Sequence, residues 1–135
     1  MKKKNGFTLV ELLAVIVILA IILVIAVPQI MDTIDSARKA SLESSVKMVA
    51  AQAENQYTVA QTLGTTFATA EGTPCGKWAG IDTTGNDYAS CTYSINTSTG
   101  AATVVIKGKD GGKFDKFKST GCSGTRTTVT CTPDS

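Results

Sequence analysis

The apolar residues of this chain are concentrated near its beginning. From Leu12 to Val27, sixteen consecutive residues carry no polar side chain, a pattern typical of a helix in lipid or one buried on every side. The chain also has no glycine between Gly6 and Gly64, and a glycine costs about 1 kcal/mol in a helix interior. The pattern therefore predicts one long helix over residues 7–63.

The second half of this predicted helix, residues 28–63, has a different pattern. Apolar side chains recur there at steps of three and four, with charged side chains between them, so we expect one packed face and one wet face. Pro28 lies where the halves meet and lacks a backbone donor, so we expect it to kink the helix axis. The apolar positions are Ile30, Met31, Ile34, Ala37, Leu42, Val46, Val49, Ala53, Tyr57 and Ala60.

Residues 64–135 are rich in glycine, serine and threonine and predict a small β domain. Residues 64–86 contain many turn signals, and we expect them to be irregular. Four later segments have strand composition and short connections, which favours antiparallel hairpins. The expected fold class is therefore α+β, with a long kinked amino-terminal helix packed on a small antiparallel sheet. The predicted strands are Tyr88–Ile95, Ala102–Lys107, Lys113–Lys118 and Thr125–Thr130.

All four cysteines lie in this distal half of the chain. An even number in a small polar domain behind an apolar segment predicts disulfides in an oxidising compartment, and four cysteines permit three pairings. The chain has no histidine and no Cys-x-x-Cys pair, so we expect no metal, no cofactor and no enzymatic activity. The cysteines are Cys75, Cys91, Cys122 and Cys131.

The charges of the chain argue against a nucleic-acid partner. The net charge is +2, and the three lysines at positions 2–4 contribute +3 to it. The remaining side chains therefore carry a net charge of −1, whereas a nucleic-acid-binding domain would carry a basic surface. Five lysines at positions 107–118 could form a basic patch, but Asp110 and Asp115 interrupt them and edge strands often carry lysine to deter pairing. A calcium loop around Asp82 and Asp87 is the weaker interpretation of those carboxylates.

Three interpretations compete for residues 2–28. A secretory signal has a basic start, a short apolar stretch and a small-residue cleavage site, and cleavage after Ala26 fits that pattern. The apolar stretch here is longer than in such signals and carries Glu11 near its start. A plain transmembrane anchor is the second interpretation, since the lysines at positions 2–4 would hold the amino terminus in the cytoplasm. The third interpretation comes from a family resemblance.

The sequence Lys-Lys-Lys-Asn-Gly-Phe-Thr-Leu-Val-Glu, residues 2–11, resembles the type III signal of type IV prepilins and pseudopilins. In that family a basic leader ends in glycine, and the mature chain begins with phenylalanine and carries a glutamate and a proline at set positions. Those positions fall here on Gly6, Phe7, Glu11 and Pro28. Counted from Phe7, Glu11 is the fifth residue and Pro28 the twenty-second.

The resemblance implies a route of processing and assembly. A prepilin peptidase cuts after Gly6, Phe7 is N-methylated, and the subunit is stored in the cytoplasmic (inner) membrane as a single-pass protein with its amino terminus in the cytoplasm. An inner-membrane assembly platform then adds it to a helical filament of pilins, used for adhesion, motility or DNA uptake. Glu11 pairs with the new amine of a neighbour, which accounts for a carboxylate that costs roughly 2.5–3.5 kcal/mol in lipid.

This interpretation divides the chain into four regions. They are a leader (1–6), a transmembrane and filament-core half-helix (7–27), an amphipathic half-helix (28–63) and a disulfide-stapled β head (64–135). The expected partners are further copies in a homo-oligomeric filament, the peptidase, the platform and membrane lipid, with no nucleic acid bound by this domain.

The resemblance also bears on the disulfides and on the type of filament. Many family members close a loop near the carboxyl terminus, which favours Cys122–Cys131 and leaves Cys75–Cys91, while the crossed scheme of 75–131 with 91–122 stays open. A pseudopilin of a type II secretion or competence system is the alternative within the family, although its usual calcium-loop motif is absent. A secreted or membrane-anchored binding module is the alternative from another class.

Overall fold

The structure, a computed structural model, describes residues 6–135. This part of the chain contains one long helix, α1, at Leu9–Leu63, and two short 3₁₀ turns at Lys77–Ala79 and Asp115–Phe117. The strands are β1 Thr73–Pro74, β2 Tyr88–Ile95, β3 Ala102–Gly108, β4 Gly121–Gly124 and β5 Val129–Thr132. The expected α+β class, with a long amino-terminal helix and an antiparallel sheet, is confirmed.

The chain divides into two compact units, one that ends at Ser36 and one that comprises Ala37–Ser135. The described part of the first unit is the beginning of α1 and the three residues before it. Its large apolar side chains are all exposed, from Phe7 at 89% to Ile34 at 39%. Ile30, Met31 and Ile34 were expected on a packed face, but they are 53%, 57% and 39% exposed.

The second unit holds the hydrophobic core, to which α1 contributes one face from Leu42 onward. Leu42, Val46, Val49 and Ala53 follow one another at steps of four, three and four residues, and each is fully buried. The predicted period of the amphipathic half is therefore confirmed from Leu42, while Ala37 remains exposed. Sheet residues complete this core: Cys91, Tyr93, Ile95, Ala102, Val104, Ile106, Cys122 and Cys131.

The sheet is an antiparallel meander in the order β1-β2-β3-β4-β5. β2 and β3 form the longest pairing, with Ile95 opposite Ala102 and Cys91 opposite Ile106. In β3 the side chains alternate between buried and more exposed along the strand, which places one face against the core. β1 has two residues only, so the outer edge of β2 is mostly covered by chain that is not in a strand.

The strand predicted at Lys113–Lys118 is wrong, because this segment forms the 3₁₀ turn Asp115–Phe117. Phe114 is 1% exposed and Phe117 is 4% exposed, so both rings enter the core. Their spacing of three residues matches the three residues per turn of a 3₁₀ helix, whereas in a strand the two rings would lie on opposite faces.

The glycine-rich segment that connects the third and fourth predicted strands, expected from its Gly-Cys-Ser-Gly composition to be a turn, is instead strand β4, Gly121–Gly124. Gly121 has a φ of 72°, and a Cβ at this position would meet the carbonyl oxygen of Ile106 in β3. Glycine therefore permits the close approach between β3 and β4. The fourth predicted strand is displaced as well, since β5 begins at Val129 and the residues before it form the turn.

Candidate functional site

The beginning of α1 is built around a reciprocal pair of hydrogen bonds between Thr8 and Glu11. The Thr8 N–H donates to Glu11 Oε2 at 3.2 Å, and the Glu11 N–H donates to Thr8 Oγ1 at 3.2 Å. The carbonyl of Thr8 accepts from the N–H of Leu12 at 3.2 Å, which starts the helical bonding. Thr8 is therefore the N-cap residue and Glu11 the third helical residue of a capping box.

This geometry gives Glu11 a partner within its own chain. The Glu11 carboxylate accepts a backbone hydrogen bond at the positive end of the helix dipole, which favours a negative charge there. Among residues 6–135, no ion pair joins Glu11 to a cationic side chain. The role of Thr8 is detectable in the sequence, because Thr-x-x-Glu before an apolar run is a capping-box signature.

The residues predicted to be processed lie just before the helix. Gly6 and Phe7 are exposed and non-helical, and Phe7 is 89% exposed. Cleavage after Gly6 would leave two residues, Phe7 and Thr8, ahead of the helix that begins at Leu9. The lysines at positions 2–4 of the predicted leader lie outside the described residues.

An apolar surface follows the capping box and is the largest exposed feature of the first unit. Glu11 is the only charged residue from Phe7 to Met31. Within residues 6–135, α1 is the one helix that is long and apolar enough to cross a membrane. The apolar stretch of this helix is not buried. An exposed apolar surface of this size requires lipid or another protein surface to cover it.

Pro28 lies inside α1, and the chain is helical on both sides of it. Because proline has no N–H, the carbonyl of Val24 lacks its usual helical donor. One turn later, the Thr33 hydroxyl donates to the carbonyl of Gln29 at 2.9 Å.

The structure joins the four cysteines as Cys75–Cys91 and Cys122–Cys131. Cys122 and Cys131 are directly opposite each other in the pairing of β4 with β5. Cys75 follows β1, and its partner Cys91 lies within β2.

Three of the five lysines at positions 107–118 contact groups within the head. Lys118 Nζ lies 2.8 Å from Asp110 Oδ1 and 3.4 Å from Asp115 Oδ1, and the hydrogen bond and charge of Asp110 raise the pKa of Lys118. Lys109 Nζ donates to the carbonyl of Gly85 at 2.9 Å. Lys113 Nζ lies 5.2 Å from the centroid of the neighbouring phenylalanine ring. These contacts account for several of the lysines without an external anion.

The acidic residues considered for calcium also have local roles. Asp82 Oδ1 accepts hydrogen bonds from the N–H and the hydroxyl of Thr84, and these bonds lower the pKa of Asp82. Across residues 6–135 no group of three or more histidine, cysteine, aspartate or glutamate side chains is arranged to hold a metal ion.

Comparison with known proteins places these features in a family. Residues 1–27 match the family model described as the prokaryotic N-terminal methylation motif. The chain is 35% identical over 114 residues to the type IV narrow pilus major component PilA5 of Thermus thermophilus, and the alignment covers 79% of this chain and 91% of that protein. No solved structure matched the chain significantly.

These two comparisons identify a structural subunit of filaments, and the exposed apolar part of α1 fits membrane anchoring before assembly. The chain belongs to the type IV pilin family. Its function in that family is structural rather than enzymatic, as a subunit of a pilus assembled with other pilins.

Proposed function

We propose that this protein is a pilus subunit which is stored in the cytoplasmic membrane, cut after Gly6, N-methylated on Phe7 and assembled through residues 7–27. The observation that carries the proposal is the single carboxylate, Glu11, near the start of an apolar segment, residues 7–27, that has no other charged residue and whose large side chains are all exposed. The leader 1–6 is removed by the peptidase, and the amphipathic half-helix 28–63 joins the filament core to the head 64–135.

Glu11 gains a partner in the filament. In the single subunit its carboxylate accepts only the capping hydrogen bond from Thr8 among the described contacts. Cleavage after Gly6 creates a positive amine on Phe7, and a neighbouring copy brings that amine to Glu11 in a bundle of like helices. In an apolar surrounding, a subunit placed without this pair would leave an uncompensated buried charge, which is costly, so the pair selects the correct axial position for an incoming subunit.

Once residues 7–27 leave lipid, the same apolar surface that required the membrane is covered by the equivalent helices of other copies. The hydrophobic effect then holds the filament together. Among family alternatives, a pilus is favoured over a pseudopilus by the similarity to a protein named as a pilus major component. Adhesion, motility and DNA uptake are the uses proposed for the filament.

Processing is tested by intact-mass measurement of the mature protein from its own host. A chain that starts at methylated Phe7 supports the proposal. A chain that starts at Val27 would identify a secreted domain, and an uncut amino terminus would identify a simple anchor.

The pairing role is tested with Glu11→Gln, Glu11→Ala and Thr8→Ala. The glutamine variant keeps an oxygen that can accept the Thr8 N–H but has no charge, so we expect insertion and cleavage with few or no filaments. Thr8→Ala keeps the charge and loses only the capping hydroxyl, which costs about 1 kcal/mol of helix stability, so we expect filaments to form. Normal filaments from Glu11→Gln would refute the pairing role.

A further inference from the structure

The outer edge of β2 is covered by residues 65–80, which we call the strap. The strap follows the end of α1 and bonds to β2 at few points: the Thr69 carbonyl accepts from the Ile95 N–H at 3.0 Å, and the Cys75 N–H donates to the Cys91 carbonyl at 2.9 Å. Between these points, β1 contributes two residue pairs. Without the strap, β2 would be an edge strand with unpaired backbone groups.

Three aromatic rings pack where the strap crosses β2. Phe67 and Trp78 belong to the strap and Tyr93 to β2, and their ring centroids are 5.3–5.9 Å apart. Tyr93 is buried, and burial raises the pKa of its hydroxyl. The Trp78 indole occupies the space that a Cβ at Gly76 would need, so the ring lies over the strap backbone next to the disulfide.

The two disulfides differ in what else holds their ends together. Cys122 and Cys131 are opposite each other in a pairing of four register positions, which brings them together whether or not the bond is present. Cys75 lies just beyond the two-residue strand β1, so the backbone alone holds it weakly against Cys91. Loss of the Cys122–Cys131 bond leaves a hairpin, whereas loss of the Cys75–Cys91 bond releases a strap.

The two disulfides also differ in their exposure to a reductant. Cys122 is 0% exposed and Cys131 is 8% exposed, so both ends of that bond are buried. Cys91 is 5% exposed, but Cys75 is only half-buried. Because exchange begins with attack of a thiolate on an accessible sulfur, a dithiol reaches the Cys75 sulfur first.

We propose that the Cys75–Cys91 disulfide is a redox-dependent fastening that keeps the strap closed over the edge of β2. A small dithiol opens it: one thiolate attacks Cys75 Sγ and releases the Cys91 thiolate, which takes up a proton. The second thiol then displaces Cys75, so the dithiol is oxidised to a disulfide while both cysteines are reduced. The opened strap exposes the Ile95 N–H and the aromatic cluster. A small disulfide closes it again by the reverse exchange, in which it is reduced to two thiols while the Cys75–Cys91 bond forms.

The size of the effect follows from the loop that this disulfide closes. Its two cysteines are 16 residues apart, and a disulfide across such a loop favours the closed state by about a hundredfold through chain entropy. Proteolysis follows the population of the open state when opening is fast relative to cleavage. Cleavage by trypsin after Lys77, in the 3₁₀ turn of the strap, therefore reports opening.

The test compares the full-length protein in detergent micelles with two double variants, Cys75→Ser/Cys91→Ser and Cys122→Ser/Cys131→Ser. We expect cleavage after Lys77 to be faster by at least about tenfold in the first variant and within about twofold of the parent in the second. Cleavage after Lys107, in β3, reports opening of the whole sheet and should stay slow in both. Fluorescence of Trp78, the only tryptophan, should shift to longer wavelength in the first variant alone.

The treatment of the parent protein with a dithiol should reproduce the first variant, with cleavage after Lys77 before cleavage after Lys107. The proposal is overturned if both double variants accelerate cleavage after Lys77 equally, or if neither does. It is also overturned if Lys107 becomes as sensitive as Lys77 in the first variant, because the whole head and not the strap would then have opened.

Discussion

Glu54 links α1 to the start of β3 and to the turn between β4 and β5, and its removal gives the sharpest test of how the head is held together. Its Oε1 accepts the N–H of Ala102, at the start of β3, at 3.2 Å. Its Oε2 lies 3.5 Å from Nη1 of Arg126, in the turn between β4 and β5. The Glu54 side chain is 20% exposed and that of Arg126 is 62% exposed, while Ala102 is fully buried.

These exposures decide which of the two contacts contributes more. A buried N–H that loses its acceptor costs about 1–3 kcal/mol. An ion pair with a largely exposed arginine contributes about 0–1 kcal/mol. We therefore expect Glu54→Ala to lower the free energy of unfolding of the head by about 1–3 kcal/mol. Glu54→Gln should lower it by less than about 1 kcal/mol, because glutamine retains an acceptor for the Ala102 N–H. Arg126→Ala should also lower it by less than about 1 kcal/mol, because it removes only the ion pair.

The measurement is equilibrium unfolding of the full-length protein in detergent by urea, followed through Trp78, which lies in the head. An unchanged slope of free energy against urea shows that the variants unfold the same surface, so midpoint shifts report stability. The reasoning fails if Arg126→Ala costs as much as Glu54→Ala, because the ion pair would then dominate. It also fails if Glu54→Gln matches Glu54→Ala.

Two further predictions concern the core and the acid limit of stability. Leu42→Ala, at a fully buried position of α1, should cost about 2–5 kcal/mol of unfolding free energy in the same urea assay, and Met48→Ala, at a position 47% exposed, should cost less than about 1. The Gly111 N–H donates to Asp115 Oδ1 and lowers the pKa of Asp115 in the folded protein. The ionised Asp115 therefore stabilises the fold above its pKa in the unfolded chain, and this stabilisation is lost as the pH falls through its pKa in the folded protein. Asp115→Asn should accordingly flatten the fall in thermal midpoint below about pH 4, and an unchanged acid profile would contradict this assignment.

The features that local chemistry controls were predictable from the sequence. The helix expected over residues 7–63 is observed as α1, Leu9–Leu63. Its length was predictable because the segment contains no glycine, the residue that most destabilises a helix interior after proline. β2 was predicted with its observed bounds, and β3 ends one residue later than expected, since alternation identifies strands that bury one face. The capping box of Thr8 and Glu11 is equally local, although only Glu11 was singled out.

Features that depend on distant residues were not predictable in the same way. Gly121–Gly124 has turn composition but forms β4, because Gly121 allows the chain to approach Ile106 of β3 closely and Gly124 allows it to approach Thr128. The segment Lys113–Lys118 has strand composition but forms a 3₁₀ turn, because the core accepts both Phe114 and Phe117 on one side.

The sequence by itself determined the family signature, the single charge of the apolar helix and the length of α1. These depend on the order of residues along one segment, where backbone propensity and side-chain polarity act over a few positions. Only the tertiary structure decided that burial on α1 begins at Leu42, that Glu54 contacts the start of β3 and the turn after β4, and that the strap covers β2 beside Cys75–Cys91. Each of these joins residues far apart in the chain, and packing rather than local preference determines which of them meet.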